Sequence, residues 1–260
     1  MVSRRDLLAY LDDFGWRDVD ARIGGARPAP AGSAARGLSG AAREPRRAPR
    51  TEAAPPRARE AREAPAGDPL AAADLAAMGS ALAGCRRCRL CQGRTQVVFG
   101  VGNPRARVVF VGEGPGAEED RRGEPFVGNA GQLLNAMLPS IGLRRQDVYI
   151  ANIVKCRPPG NRDPQPDEAA ACMPFLKRQI ELIDPEVIVL LGRIAARYLL
   201  GTSAPISSYR GRWTTWQGRD VLPTYHPAYL LRSPLGKRDS WADFKKLKQR
   251  LDAAGAAKRG

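Results

Sequence analysis

Three short apolar runs limit what this chain can fold into more than any other feature: residues 107–111 (RVVFV), 148–154 (VYIANIV) and 187–191 (VIVLL). Runs this short, rich in β-branched residues and without polar alternation, read as strands buried on both faces, as in a covered parallel sheet. Between them, residues 129–141, 167–183 and 192–200 carry apolar residues at helical spacing. Strand–helix alternation predicts an α/β fold: three layers, α/β/α, around a mainly parallel central sheet. A further extended segment at 221–224 and a closing helix at 238–254, with Trp241, Phe244 and Leu247 facing inward, complete the expected elements. In such sheets ligands gather outside the carboxyl ends of the strands. The turn at 112–120, Asn152 and His226 all fall at such ends, so they are expected to share one site.

The region ahead of residue 69 reads differently. Residues 1–20 are expected to form a short helix, with Leu7, Leu8, Leu11 and Phe14 on one face and Ser3 as its cap. Residues 21–68 consist mostly of Ala, Arg, Pro and Gly, and their ten arginines and five acidic residues leave a net charge of +5. With almost no large apolar residues they cannot bury a core, which predicts a disordered basic N-terminal extension. Such a stretch is either a solvated linker or an arm that holds DNA loosely. The folded domain is expected over residues 69–260.

Across all 260 residues, 42 Lys and Arg face 27 Asp and Glu, a formal charge of +15. That balance favours a polyanionic partner, because basic side chains displace counterions from phosphate. No apolar run reaches the roughly 20 residues of a membrane helix, so no membrane partner is expected. The first residues, MVSRRDLLAYLDDF, lack an uninterrupted apolar stretch of the signal-peptide kind. The expected location is therefore cytoplasmic, beside the nucleoid. The five cysteines then read as metal ligands or free thiols rather than disulfides.

Cys85 and Cys88 form a C-x2-C pair, and Cys156 and Cys172 form a second, wider one. Four thiolates suit tetrahedral zinc or an iron–sulfur cluster, and spacing alone leaves both open with a slight lean to zinc. Cys91 extends the first pair to C-x2-C-x2-C but is surplus to four ligands. Either metal would pin the segment near residue 85 to the long loop at 156–172.

Gly112-Glu113-Gly114-Pro115-Gly116 follows the first strand but breaks the G-x-G-x-x-G pattern of dinucleotide sites, and Pro115 stands where a backbone donor is wanted. No G-K followed by Ser or Thr is present, so no nucleotide cofactor is expected. Glu113, Glu118, Glu119 and Asp120 would repel phosphate, and a neutral hydrogen-bonding ligand fits better. Phe126, between turn-forming residues, is either a core aromatic or a stacking platform for a flat ring. His226, the chain's single histidine, opens HPAYLLR at 226–232, whose Leu230 and Leu231 could form an apolar wedge.

At these residues the sequence resembles the family 4 uracil-DNA glycosylases, iron–sulfur members of the uracil-DNA glycosylase superfamily. The motifs are C-x2-C at 85–88, GEGPGAEED at 112–120, GEPFVGNAGQLL at 123–134, NIVKCRPPGNRDP at 152–164, Cys172 and HPAYLLR at 226–232. Several long motifs in one order, spanning most of residues 80–232, are far more specific than any one alone.

The resemblance implies a four-iron, four-sulfur (4Fe–4S) cluster on Cys85, Cys88, Cys156 and Cys172. It also implies hydrolysis of the glycosidic bond of a flipped-out deoxyuridine, in single- or double-stranded DNA, by a monomer. Phe126 would stack on the base, Asn152 would read its edge, and the Gly114 N–H would touch it. His226 would donate towards O2. Leu230 or Leu231 would fill the gap in the stack, and Arg232 would meet phosphate. Where the superfamily's best-known branch has a water-assisting Asp, this chain has Gly114, leaving Glu113 or Glu119 for that role. The alternatives are a covalent or non-catalytic uracil-DNA binder and a metal-pinned nucleic-acid scaffold without chemistry. The covalent branch needs an extra histidine, and residues 152–172 contain none.

Overall fold

The structure is a computed structural model that describes residues 67–257. The expected helix at 1–20, and all but the last two residues of the expected linker, lie outside the described residues. Six strands form one sheet: β1 (Val101–Gly102), β2 (Val108–Gly112), β3 (Tyr149–Asn152), β4 (Val187–Leu191), β5 (Thr214–Trp216) and β6 (Arg219–Thr224). Their order across the sheet is β1-β3-β2-β4-β6-β5. The four central strands are parallel, and the short edge strands β1 and β5 pair antiparallel.

The helices are α1 (Leu75–Leu82), α2 (Ala117–Arg122), α3 (Asn129–Met137), α4 (Pro166–Ile183), α5 (Arg193–Leu200), α6 (Ile206–Tyr209), α7 (Pro227–Leu230) and α8 (Pro234–Ala257). Strand alternation shows why both sheet faces need cover. Val109 and Val111 of β2 point into one apolar layer, with Leu82, Phe175 of α4 and Ala195 of α5. Val108 and Phe110 point into the other, with Leu133 and Leu134 of α3 and Phe244 and Leu247 of α8. Each large apolar side chain buried this way contributes roughly 1.5–3 kcal/mol. Trp241, Phe244 and Leu247 all face inward, as their spacing predicts.

Two features fix the loop before α4 and the end of β6 near the site. Glu168, fully buried in the first turn of α4, accepts two hydrogen bonds from Arg162, at 2.8 and 2.6 Å, and one from the Gln165 N–H at 2.8 Å. Thr224 Oγ1, at the end of β6, donates to Asp243 Oδ2 of α8 at 2.7 Å. The parallel order brings Gly112, Asn152 and Thr224 to one edge of the sheet, although 112 and 224 are far apart in the chain.

Candidate active site

At that edge lies a cavity of about 410 Å³, within the usual size of small-ligand sites. Its walls come from the turn after β2 (Glu113, Gly114), the loop before α3 (Phe126), the end of β3 (Asn152), the loop before α4 (Asn161, Arg162, Asp163) and the start of α7 (His226). The sequence-predicted base-site residues therefore converge. Arg162 and Asp163 line it too; both sit in the NRDP stretch but carried no separate signal.

Asn152 is 1% exposed, and neither its Oδ1 nor its Nδ2 has a hydrogen-bond partner in the protein. An unpaired buried amide costs on the order of 1–3 kcal/mol, which makes this one a candidate contact for a ligand that offers a donor and an acceptor. Gly112 makes room for this amide: a β-carbon there would fall 2.5 Å from Asn152 Oδ1 and 2.6 Å from the Phe126 ring.

Phe126 adopts the left-handed backbone conformation, φ 53°, which costs a non-glycine residue energy. Two side chains hold it there. Glu119 Oε1 accepts from the Val127 and Gly128 N–H groups, each at 2.9 Å, while its Oε2 accepts from the Gly116 N–H at 3.1 Å. Arg145 donates to the Pro125 and Phe126 carbonyls at 2.6 and 3.2 Å. With its oxygens so engaged, Glu119 braces the loop that carries the ring. Arg145 lies in a 3-10 turn without apolar periodicity, so no sequence pattern pointed to it. The Phe126 and His226 rings sit 5.5 Å apart at 33°.

His226 Nδ1 accepts from the Ala228 N–H at 3.1 Å, which leaves the neutral ring's proton on Nε2. Burial pulls its pKa down to about 4 against the opposing charge of Glu119, so the ring is an uncharged donor at neutral pH. Burial pushes the Glu113 carboxyl up to about 7; Asp163 adds to the rise and Arg193 opposes it. Asp163 and Arg193 form their own pair at 2.7 Å.

Of the two leucines expected as a wedge, Leu230 needs correction. Leu230 is fully buried and packs in the same apolar layer as Phe126 and Leu133. Pro227 and Leu230 stand three apart on the one-turn helix α7, so both turn inward and Tyr229 turns outward. Leu231 is half-buried against that layer. Arg232 is exposed and lines the cavity mouth. Tyr229 and Leu235 are the exposed large apolar side chains among the described residues, 44% and 70% exposed.

Cys85, Cys88, Cys91, Cys156 and Cys172 line a second recess between α1, the end of β3 and α4, together with Arg94 and Lys155. Arg94 Nη1 lies 3.1 Å from Cys156 Sγ. Among the described residues no three potential ligands close around a single point as one metal ion requires.

A doubly covered, mainly parallel sheet carries an aromatic ring, an unpaired amide and an uncharged imidazole around one cavity at the carboxyl ends of its strands, an arrangement of the kind that suits a flat, neutral, hydrogen-bonding ring. Residues 99–251 match the profile described as the uracil DNA glycosylase superfamily. The chain is 54% identical over 151 residues to a type-4 uracil-DNA glycosylase of Thermotoga maritima, covering 57% of this chain and 79% of that one. It is 49% identical over 171 residues to a type-4 uracil-DNA glycosylase of Archaeoglobus fulgidus (63% and 86% covered). A third, from Sulfurisphaera tokodaii, is 46% identical over 174 residues (64% and 79%). The chain belongs to the uracil DNA glycosylase superfamily.

Proposed function

We propose that the cavity takes a deoxyuridine turned out of DNA, and that the protein hydrolyses its N-glycosidic bond, releasing uracil and leaving an abasic site. The observation that carries this is the unpaired Asn152 amide inside a cavity of a chain with these relatives. Its oxygen accepts from uracil N3–H and its nitrogen donates to O4. Cytosine reverses that pattern, setting like against like.

Phe126 stacks on the base and the Gly114 N–H touches it. His226 Nε2–H points its donor at O2, where negative charge grows as the bond to the sugar breaks; a preorganised donor of this kind is worth on the order of 3 kcal/mol. Glu113, with its pKa raised to about 7, is the group suited to take the proton of the attacking water. Glu119 acts on the base only through the Phe126 loop. The substrate is DNA in single- or double-stranded form, engaged by a monomer. Arg232 meets phosphate, and Leu231, with the exposed Tyr229 and Leu235, takes the wedge role without Leu230.

Cys85, Cys88, Cys156 and Cys172 would hold a 4Fe–4S cluster, whose four irons each take one cysteine thiolate. When bound, the cluster supplies four metal–thiolate links that hold the segment at 85–91 against β3 and α4. The covalent-binder alternative has no support from the residues lining the cavity, since the chain's single histidine is already paired through Nδ1.

The test is incubation with oligonucleotides carrying one uracil, beside matched thymine and cytosine strands. Alkali-labile cleavage at uracil alone is expected, and an intact uracil strand overturns the reading. Iron and acid-labile sulfide should be present in anaerobically purified protein; zinc alone would exclude the cluster.

A further inference from the structure

Lys155 is a buried cation to which the reaction above assigns no part. It is 1% exposed and lies between the end of β3 and Cys156. Its ammonium donates to the Asn152 carbonyl oxygen at 2.9 Å. Its main-chain N–H lies 3.3 Å from Cys172 Sγ, and its carbonyl accepts from the Val98 N–H at 2.8 Å. The residue lines the cysteine recess. Burial works against its charge, and Cys172 and Cys156 favour it. A buried ammonium costs several kcal/mol unless opposite charge and hydrogen bonds offset it. Here the hydrogen bond goes to the main chain of the proposed uracil-reading residue, and the opposite charge comes from the sulfur site.

The other half of the argument lies in Asn152. Its amide has no hydrogen-bond partner to orient it. Its direction is therefore inherited from its main chain and from the packing of Gly112 and Phe126 against it. Whatever holds the Asn152 carbonyl thus helps to aim the amide.

We propose that Lys155 is a positioning residue that couples the cysteine site to base reading, its ammonium gripping the Asn152 carbonyl on one side and facing the sulfur ligands on the other. The coupling rests on the reading that the four cysteines hold an anionic iron–sulfur cluster. Because coupling between two sites is reciprocal, a uracil bound at Asn152 is felt at the cluster.

The experiment compares wild type, Lys155→Met and Lys155→Arg. Lys155→Met is expected to keep its iron but lose about tenfold in single-turnover uracil release, the size of one charge-assisted hydrogen bond. Affinity for a matched thymine duplex should be unchanged, and arginine should restore most of the rate. The cluster potential should become more negative in Lys155→Met, since a nearby positive charge favours the reduced form. An unchanged rate with an unmoved potential, or a rate that falls only in step with general DNA affinity, overturns the proposal.

Should Lys155→Met fail to fold or to hold iron, the wild type decides. Its potential is measured on a duplex carrying non-hydrolysable 2′-fluorodeoxyuridine and on the thymine duplex. A difference supports the coupling, and identical values overturn it. Wild type lacking iron would sink the cluster reading instead; the rate loss in Lys155→Met and its rescue by arginine then judge Lys155 alone.

Discussion

Gly112 and Asn152 lie side by side in register on neighbouring parallel strands, and a β-carbon on Gly112 would fall 2.5 Å from Asn152 Oδ1. That carbon would also press on the Phe126 ring from 2.6 Å. The gap between strand, amide and ring is therefore set by the absence of one methyl group. Gly112→Ala should leave the sheet intact, because β2 and β3 keep their ladder, but should displace the amide or the ring. The expected outcome is a fall in uracil release of roughly 10²-fold, as small misplacements at a reacting centre produce. Circular dichroism beside single-turnover kinetics checks it; wild-type kinetics would refute the crowding argument.

Asn152→Asp alters one atom of the same edge. A carboxylate accepts but does not donate, so the contact to O4 turns repulsive while the one to N3–H remains. Uracil release should slow by 10²-fold or more, on the order of the loss of one polar contact in a closed site, and the preference for uracil over cytosine should narrow. Unchanged selectivity would remove Asn152 from base reading.

With Glu113 as the proposed base, its carboxyl, raised to about 7 by burial, is expected to set the pH profile. Its base form grows as pH rises, so the rate should climb through about pH 7 and level off above it. His226, pulled down to about 4, stays uncharged across that range and adds no limb of its own. Glu113→Gln should flatten the climb and lower the plateau by roughly 10²–10⁴-fold, the range of general-base contributions. A climb that persists in the variant would assign the proton transfer elsewhere.

Leu230 and Leu235 should separate cleanly. Leu230 is fully buried, so Leu230→Ala should cost about 2–5 kcal/mol of stability in urea unfolding. Leu235 is 70% exposed, so Leu235→Ala should move stability by less than about 0.5 kcal/mol. Its effect should appear on duplex substrate and be nearly absent on single strands, because only a duplex has a stack to hold open. Equal effects on both substrates would rule out a wedge.

The central strands and the longer helices were legible in the sequence because each has enough residues to show its period. Thus β4 and α4 fall within a residue of expectation, whereas β1 and β5, two and three residues long, have no period to read. The convergence of Asn152, Phe126 and His226 followed from strand ends and motif order. The reversal of Leu230 did not, because a single helical turn decides which of two adjacent leucines faces inward. Glu119 was legible as an acid near the site, but its task was not: three N–H groups from Gly116, Val127 and Gly128 meet it only after the loop has folded back. Arg145 reaches Phe126 from a turn 19 residues further along, a contact no local pattern encodes.

The unpaired amide of Asn152 has a cost for the resting protein. Its two polar atoms are buried, and no protein group pairs with them. An apolar residue of similar shape at 152 would remove that penalty and is expected to raise the melting temperature while abolishing excision. Selection for robustness alone would therefore replace this amide, so the base reader proposed at 152 is kept only by the demand for excision.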